Sequence, residues 1–494
     1  MPNEPGPESE PSPSPEPVDP GSGSEPTSAA PSPDLARAEP TKAFFVSMLT
    51  RDISLADAIL DLVDNSLDGA LRSGAPATGY QDFRVELTVS GEQFVIIDNC
   101  GGIPRDVAIE YAFKMGRDPA DARDTAIETI GMYGIGMKRA TFKIGTEISV
   151  QTKHGEDEYE VKIDAAWLTE PGWKPLPLLA VDPADALQSP GTRISVRALH
   201  AGVSAHFRAD HFVDELRKAL GDHFTLFLQR GFSIVLNERS VEPTKIEILA
   251  DPGGPRPYYF EMEKNETQIR VAAGINPGIP LEDGDEDEDD SRFQDNRAVA
   301  TAGWTIFCND RAVLVGDKSR LTGWGDGVPL FHPQFSVITG IVEFRARDAK
   351  ELPITTTKRA LDTSSESWLI AKSIMRDALA VFVRHTNRWK NVARSQQSPH
   401  WQRARPHDLA DVAHMMEEQK LTANRKFDGA RYFDPTAVLP KPPAAQATNS
   451  RITFSRPKEQ IRVVAQHLLD DANEKPSRVG EACFSRVLKE IERE

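Results

Sequence analysis

Four short stretches hold residue types that could do chemistry. In the run from Asp61 to Asp68, the residues Asp61, Asn65 and Asp68 recur at spacings of three and four, which a helix would place on one face. A carboxylate one turn before an asparagine can orient a water while the amide oxygen binds a hard cation such as Mg²⁺. The plain alternative is a solvent-facing acidic stripe on a core helix. In Ile96-Ile97-Asp98-Asn99-Cys100-Gly101-Gly102-Ile103-Pro104, an apolar strand ends at an aspartate and a tight turn. Asp98 could accept a hydrogen bond from an exocyclic amine, with Gly102 letting a flat base lie on the backbone, or Asp-Asn could simply open a β-turn. Gly131, Gly134 and Gly136 come next, and the last leads into a helix with Lys138 in its first turn. Backbone N–H groups there can hold phosphates with Lys138 as counter-charge, and a mobile glycine loop is the alternative. Far downstream, Leu352-Pro353-Ile354-Thr355-Thr356-Thr357-Lys358-Arg359 offers a lysine that could reach a phosphate from another domain, or half of a surface basic pair.

Positioning these residues requires a particular set of elements. Ala56, Ile59, Leu60, Val63 and Leu67 form an apolar stripe that predicts a helix over 54–72, with Ser54 as N-cap. Alternating β-branched residues predict two strands within 83–97, and further strands fall at 146–152, 158–164, 192–198 and 232–238. Helices are expected over 105–116, 132–142 and 208–220, with a polar loop over 117–129. The pattern is α+β: amphipathic helices on one face of a mainly antiparallel sheet. A second unit begins near 241, with strands at 303–308, 311–315 and 339–347 and a helix over 366–389. Beyond it, 457–493 has a helical pattern.

Composition narrows the class. The formal charge of −17 is concentrated in two runs: residues 1–40 carry −7 and 282–290 carry −8, leaving −2 for the rest. The first forty residues, rich in Pro, Ser, Glu and Gly, read as a disordered tail. Three scattered cysteines, Cys100, Cys308 and Cys483, argue against a disulfide framework or a zinc site and fit a reducing compartment. No apolar run approaches the ~18 residues of a membrane span. A cytoplasmic location is expected.

Order and spacing then add to the single motifs. An acidic–asparagine helix, Asp-x-x-Gly-Gly, Gly-x-x-Gly-x-Gly, and Ser189-Pro190-Gly191-Thr192-Arg193-Ile194 occur in succession. This series resembles the GHKL ATPase superfamily of gyrase B, heat-shock chaperones, histidine kinases and MutL over about 41–390. Gly134-Ile135-Gly136-Met137-Lys138-Arg139 looks most like the MORC and prokaryotic MutL-like members. The resemblance implies a Bergerat α/β sandwich ATPase domain over 41–240 and an S5-type transducer over 241–392, which would carry the acidic insert 282–290. A small, mainly helical C-terminal region would occupy 393–494.

The resemblance also assigns roles. ATP and Mg²⁺ would be the ligands, with Asp61 as general base, Asn65 on the metal and Lys358 on the γ-phosphate. Asp98 and Thr192 would recognise adenine, and Asp68, Gly102, Ile103, Lys114, Gly131, Gly134, Ile135, Gly136, Met137 and Lys138 would complete the ATP site. A lid would include 117–133. The usual glutamate is Asp61 here, which implies slow hydrolysis, and Cys100 stands where the family turn has its first glycine. An ATP-dependent homodimer acting as a clamp on DNA is the implied role, in repair or defence, with a partner nuclease or other effector. From the residues themselves, the basic stretch 384–405 with Trp389 and Trp401 interleaved could bind phosphates with the tryptophans stacking on bases, or it could be an amphipathic helix end followed by a basic linker. The competing readings are a chaperone-like protein clamp and an ATP-binding regulator with negligible turnover.

Overall fold

The structure is a computed structural model that describes residues 41–75, 79–116, 128–129, 131, 134–277, 300–355, 358, 360–390, 401–417, 419, 421–442 and 455–493. Helix α1 spans Lys42–Arg51 and α2 spans Leu55–Arg72. Ser54 caps α2 as expected, its hydroxyl oxygen accepting from the Asp57 N–H at 3.1 Å. The apolar stripe of α2 is fully enclosed: Ile59, Val63 and Leu67 have no exposed surface.

That stripe packs on a seven-stranded sheet. Its strands are β1 Arg84–Val89, β2 Phe94–Asp98, β3 Gly145–His154, β4 Asp157–Ile163, β5 Gly191–Leu199, β6 Ser233–Leu236 and β7 Arg239–Ser240, in the order β4-β3-β5-β2-β1-β6-β7. All neighbours are antiparallel except β1 and β6. Side-chain alternation sends Leu87, Phe94, Ile96, Val150 and Val196 into one core with α2, α3 (Gly136–Ile144) and α4 (Asp210–His223). The helix expected over 105–116 is shorter and wider, an α-turn at Arg105–Val107 running into a π-turn at Ala108–Ala112.

A second sheet contains β8 Ile248–Ala250, β9 Tyr258–Lys264, β10 Thr267–Ile275, β11 Gly303–Cys308, β12 Arg311–Asp317, β13 Ile338–Ala346, β14 Arg405–His407, β15 Thr422–Ala423 and β16 Arg431–Phe433. The main path runs β12-β11-β13-β10-β9-β16-β15, with β8 on β10 and β14 on β8. Helix α5 (Glu366–Trp389) covers one face through Trp368, Ile374 and Phe382. Helix α6 (Leu409–Glu417) covers the other through Leu409, Val412 and Met416.

Two expectations change here. The region after 392 is not simply a helical appendage: α7 (Lys458–Leu469) and α8 (Pro476–Ile491) are helical, but β14, β15, β16 and α6 belong to the second sheet. The Tyr259, Ala272 and Ile341 face and the β9 edge need cover, and these late residues supply it. The tryptophans are not stacking platforms. Trp389 and Trp401 are 5% and 7% exposed. The Trp389 indole N–H donates to the Pro440 carbonyl at 3.3 Å, and Trp401 sits edge-on to His385. Both fill the core, so no base can stack on them while that layer is folded. Arg384, Arg388, Lys390, Arg403 and Arg405 are exposed, whereas Arg394 and the insert 282–290 lie outside the described residues.

One hairpin ties the two sheets together. Asn309 and Asp310, both with positive φ, form the two-residue turn between β11 and β12. The Asn309 amide donates to the Thr129 carbonyl at 3.2 Å, and Arg230 pairs with Asp310 at 2.6 Å. Arg345 pairs with Asp310 and, at 3.1 Å, with Glu128. No described helix is long and apolar enough to cross a membrane.

Candidate functional site

The polar face of α2, the turn after β2, the start of α3, the start of β5 and the Lys358 loop meet around a cavity of about 500 Å³. That volume is ordinary for a small-molecule site. Asp98 ends β2 because its carboxylate is anchored from three directions. Oδ1 accepts from the Cys100 and Thr192 N–H groups at 2.9 and 3.1 Å, and Oδ2 accepts from the Ser66 hydroxyl at 2.8 Å. Enclosure still raises the carboxyl above its ordinary range, against the pull of these bonds. Thr192 is further held by Thr152, whose hydroxyl lies 3.1 Å from its own and also accepts from the Ile103 N–H at 2.8 Å.

Gly102 is required for a different reason from the one the sequence offered. Its φ is +70°, and a Cβ there would lie 1.9 Å from the Lys153 carbonyl oxygen. The backbone of β3 excludes a side chain whether or not a base lies near. Cys100 contributes its backbone N–H to Asp98, while its buried thiol has a pKa pushed far up, so it is no nucleophile at neutral pH.

The phosphate-like corner is built by α3. Ser54 and Ser365 cap α2 and α5, but α3 begins at Ile135–Gly136 with no side-chain cap, so its first-turn N–H groups are left for another acceptor. Gly134, Ile135, Gly136, Met137 and Lys138 all line the cavity there. The Lys138 ammonium donates to the Ala112 carbonyl at 2.8 Å and to the Gly134 carbonyl. Both acceptors are neutral, and burial pushes its pKa from 10.5 down to about 7. Above pH 7 the unfolded chain therefore binds one more proton at this site than the folded one, so its contribution to stability rises with pH towards 10.5. We expect wild type to gain roughly 2 kcal/mol relative to Lys138→Met between pH 7 and 9 in denaturant titrations, and an equal slope in both would remove this assignment.

On α2, Asp61 is 1% exposed and paired with Arg139 through Oδ2, while Oδ1 has no hydrogen-bond partner among the described residues. Asn65 is exposed into the cavity, and Asp68 accepts from the Gly131 N–H at 2.8 Å. Lys358 reaches the wall from the second unit, and Lys114 and Ile103 complete the rim. Every residue assigned to the ATP site by the resemblance thus lines this one cavity, whereas Trp389, Trp401 and the described basic residues of 384–405 do not. Of the expected lid, 117–127, 130, 132 and 133 lie outside the described residues.

Spacing gave no sign of Ser66 and Thr152 as the partners that orient Asp98 and Thr192. Nor did it show Arg139 as the partner of Asp61, although Arg139 adjoins Lys138 in the glycine motif. Asp64 lies within the Asp61–Asp68 run, and spacing assigns it no role of its own. It turns away from the cavity and is fully buried against Arg311, 2.8 Å away, and Lys358, 3.3 Å away.

No curated protein matches this sequence. Residues 53–192, which supply all of this cavity except Ile194 and Lys358, match the family described as histidine kinase-, DNA gyrase B-, and HSP90-like ATPase, and the match supports the GHKL superfamily, and with it ATP binding, for this part of the chain.

Proposed function

We propose that the protein is a Mg²⁺-dependent ATP switch that hydrolyses ATP slowly. The observation that carries this reading is the meeting of Asp61, Asn65, Asp98, the uncapped start of α3 and Lys358 around one cavity. Asp98 would accept from the adenine amine, held in place by Ser66 and Thr192. The α3 N–H groups and Lys138 would hold phosphates, and Lys358 would meet the γ-phosphate. Asn65 offers one hard oxygen, and among the described residues no three His, Cys, Asp or Glu cluster into a metal cage. That donor set suits Mg²⁺, which keeps waters and takes few protein ligands beside phosphates. When bound, the ion would neutralise phosphate charge. Asp61 Oδ1, buried and without a partner among the described residues, is the acceptor available for a water proton, while Arg139 fixes the orientation of the carboxylate. Aspartate is one methylene shorter than glutamate, and a displacement of ~1 Å can cost about a hundredfold in rate.

The resemblance to MORC and MutL-like proteins adds ATP-dependent homodimerisation and a clamp role. A DNA contact, on this reading, uses the exposed Arg384, Arg388, Arg403 and Arg405 on phosphates. The test is equilibrium binding of ATP and ADP with and without Mg²⁺, together with turnover and sizing with a non-hydrolysable analogue. Wild type should bind both nucleotides and hydrolyse ATP faster than Asp61→Asn. Absence of binding sinks the proposal. Binding with turnover equal to the variant's leaves a non-hydrolysing regulator, and an unchanged size with analogue removes the clamp.

A further inference from the structure

Asp64 lies on α2 between Asp61 and Asn65 and faces the second sheet. It has no exposed surface, and Arg311, its partner from the first residue of β12, is 1% exposed. The Arg311 Nε donates to Oδ1 at 2.8 Å, and the Lys358 ammonium lies 3.3 Å from Oδ2. These three groups sum to one positive charge, and the cation that supplies the excess, Lys358, lies in the cavity wall. Lys358 is held there with φ +56°, a conformation uncommon for a residue with a side chain. Arg311 also directly follows the Asn309–Asp310 turn, which bonds Thr129 and Arg230 of the first unit.

We propose that Asp64 and Arg311 are positioning residues for Lys358 and that the three form the device by which the second sheet senses the terminal phosphate. This rests on the ATP reading above and deepens it. Asp64 holds the ammonium at the cavity wall, and Arg311 offsets the carboxylate so that the lysine keeps its attraction for an incoming anion. A terminal phosphate draws on Lys358 and loosens its hold on Asp64. Arg311 is then the remaining cation on Asp64 in this trio, and the β11–β12 hairpin feels the change because Arg311 is part of it. ADP lacks the phosphate that reaches Lys358, so it leaves the trio undisturbed. Coupling of this kind is reciprocal: whatever fixes the hairpin also sets the preference for ATP over ADP.

The test compares affinities for ADP and a non-hydrolysable ATP analogue in the full chain. The double variant Asp64→Asn/Arg311→Met removes both members of the buried pair and so leaves neither charge stranded. It should bind ADP within threefold of wild type and lose at least tenfold of the preference for the analogue. Adding Lys358→Met should take away no further preference, because the three act together. A preference within threefold of wild type, or an equal loss for both nucleotides, overturns the proposal. The unaltered protein provides a second readout that no folding defect can confuse. In hydrogen exchange, the analogue but not ADP should change protection over 309–312, and identical protection with both ligands overturns it equally. A wild type that binds neither nucleotide removes the ATP reading, and the sensor with it.

Discussion

Asp98→Ala is expected to weaken binding of both ATP and ADP about 100-fold, measured by titration calorimetry. Two losses combine. The adenine amine loses a charged acceptor, a bond worth about 1.5–3 kcal/mol. The Thr192 and Cys100 N–H groups and the Ser66 hydroxyl also lose the carboxylate that fixes them. Each 1.4 kcal/mol is about tenfold, so 100-fold requires little beyond the first loss. The raised pKa of Asp98 adds a pH signature. Protonation removes the charged acceptor, so affinity should fall on acidification at a higher pH than an ordinary aspartate would dictate. A variant that binds within a few-fold of wild type would show that Asp98 is not the adenine acceptor.

Asp61→Asn should bind ATP within about threefold of wild type yet turn over roughly 10²–10⁴ times more slowly, the usual range for a lost general base. The substitution also leaves Arg139 beside an amide. Breaking one side of a buried pair costs about 3–5 kcal/mol, so a lower melting temperature is expected in the same protein. The two effects separate in Asp61→Asn/Arg139→Met. Stability should recover because neither charge is stranded, whereas turnover should not. Recovery of turnover together with stability would mean that Asp61 matters only for folding.

Much of the first sheet could be read from the chain because its cues are local. The stripe at Ile59, Val63 and Leu67 and the alternation at Val85, Leu87, Phe94 and Ile96 each bury one face, and burial shows in sequence as period. The second sheet was less legible. Strand β10 contains Ala272, Ala273 and Gly274, residues with little strand preference, yet it is central and pairs with β9 and β13 along most of its length. Strands of two or three residues, such as Thr422–Ala423 and Arg431–Phe433, are too short to show any period. At the site, residue types and order located the cavity wall, but the partners were hidden. Asp64 and Arg311 are separated by 247 positions, and spacing does not report pairing over that distance. Trp389 and Trp401 show the opposite error: basic neighbours made them look like a binding surface, while their bulk is used in the core.

The late strands have a consequence for biosynthesis. The first sheet has all its strands once residue 240 has been made, but the second needs residues up to 433. A nascent chain would therefore carry a finished first layer while the Tyr259, Ala272 and Ile341 face still waits for α6. In the first part of that interval, before residues 311 and 358 are made, Asp64 also lacks Arg311 and Lys358. Ribosome-stalled chains ending near 300 should thus resist protease over 53–240 and be cut beyond it, and the nucleotide-facing helix would acquire its last buried charge partners only after the second layer closes.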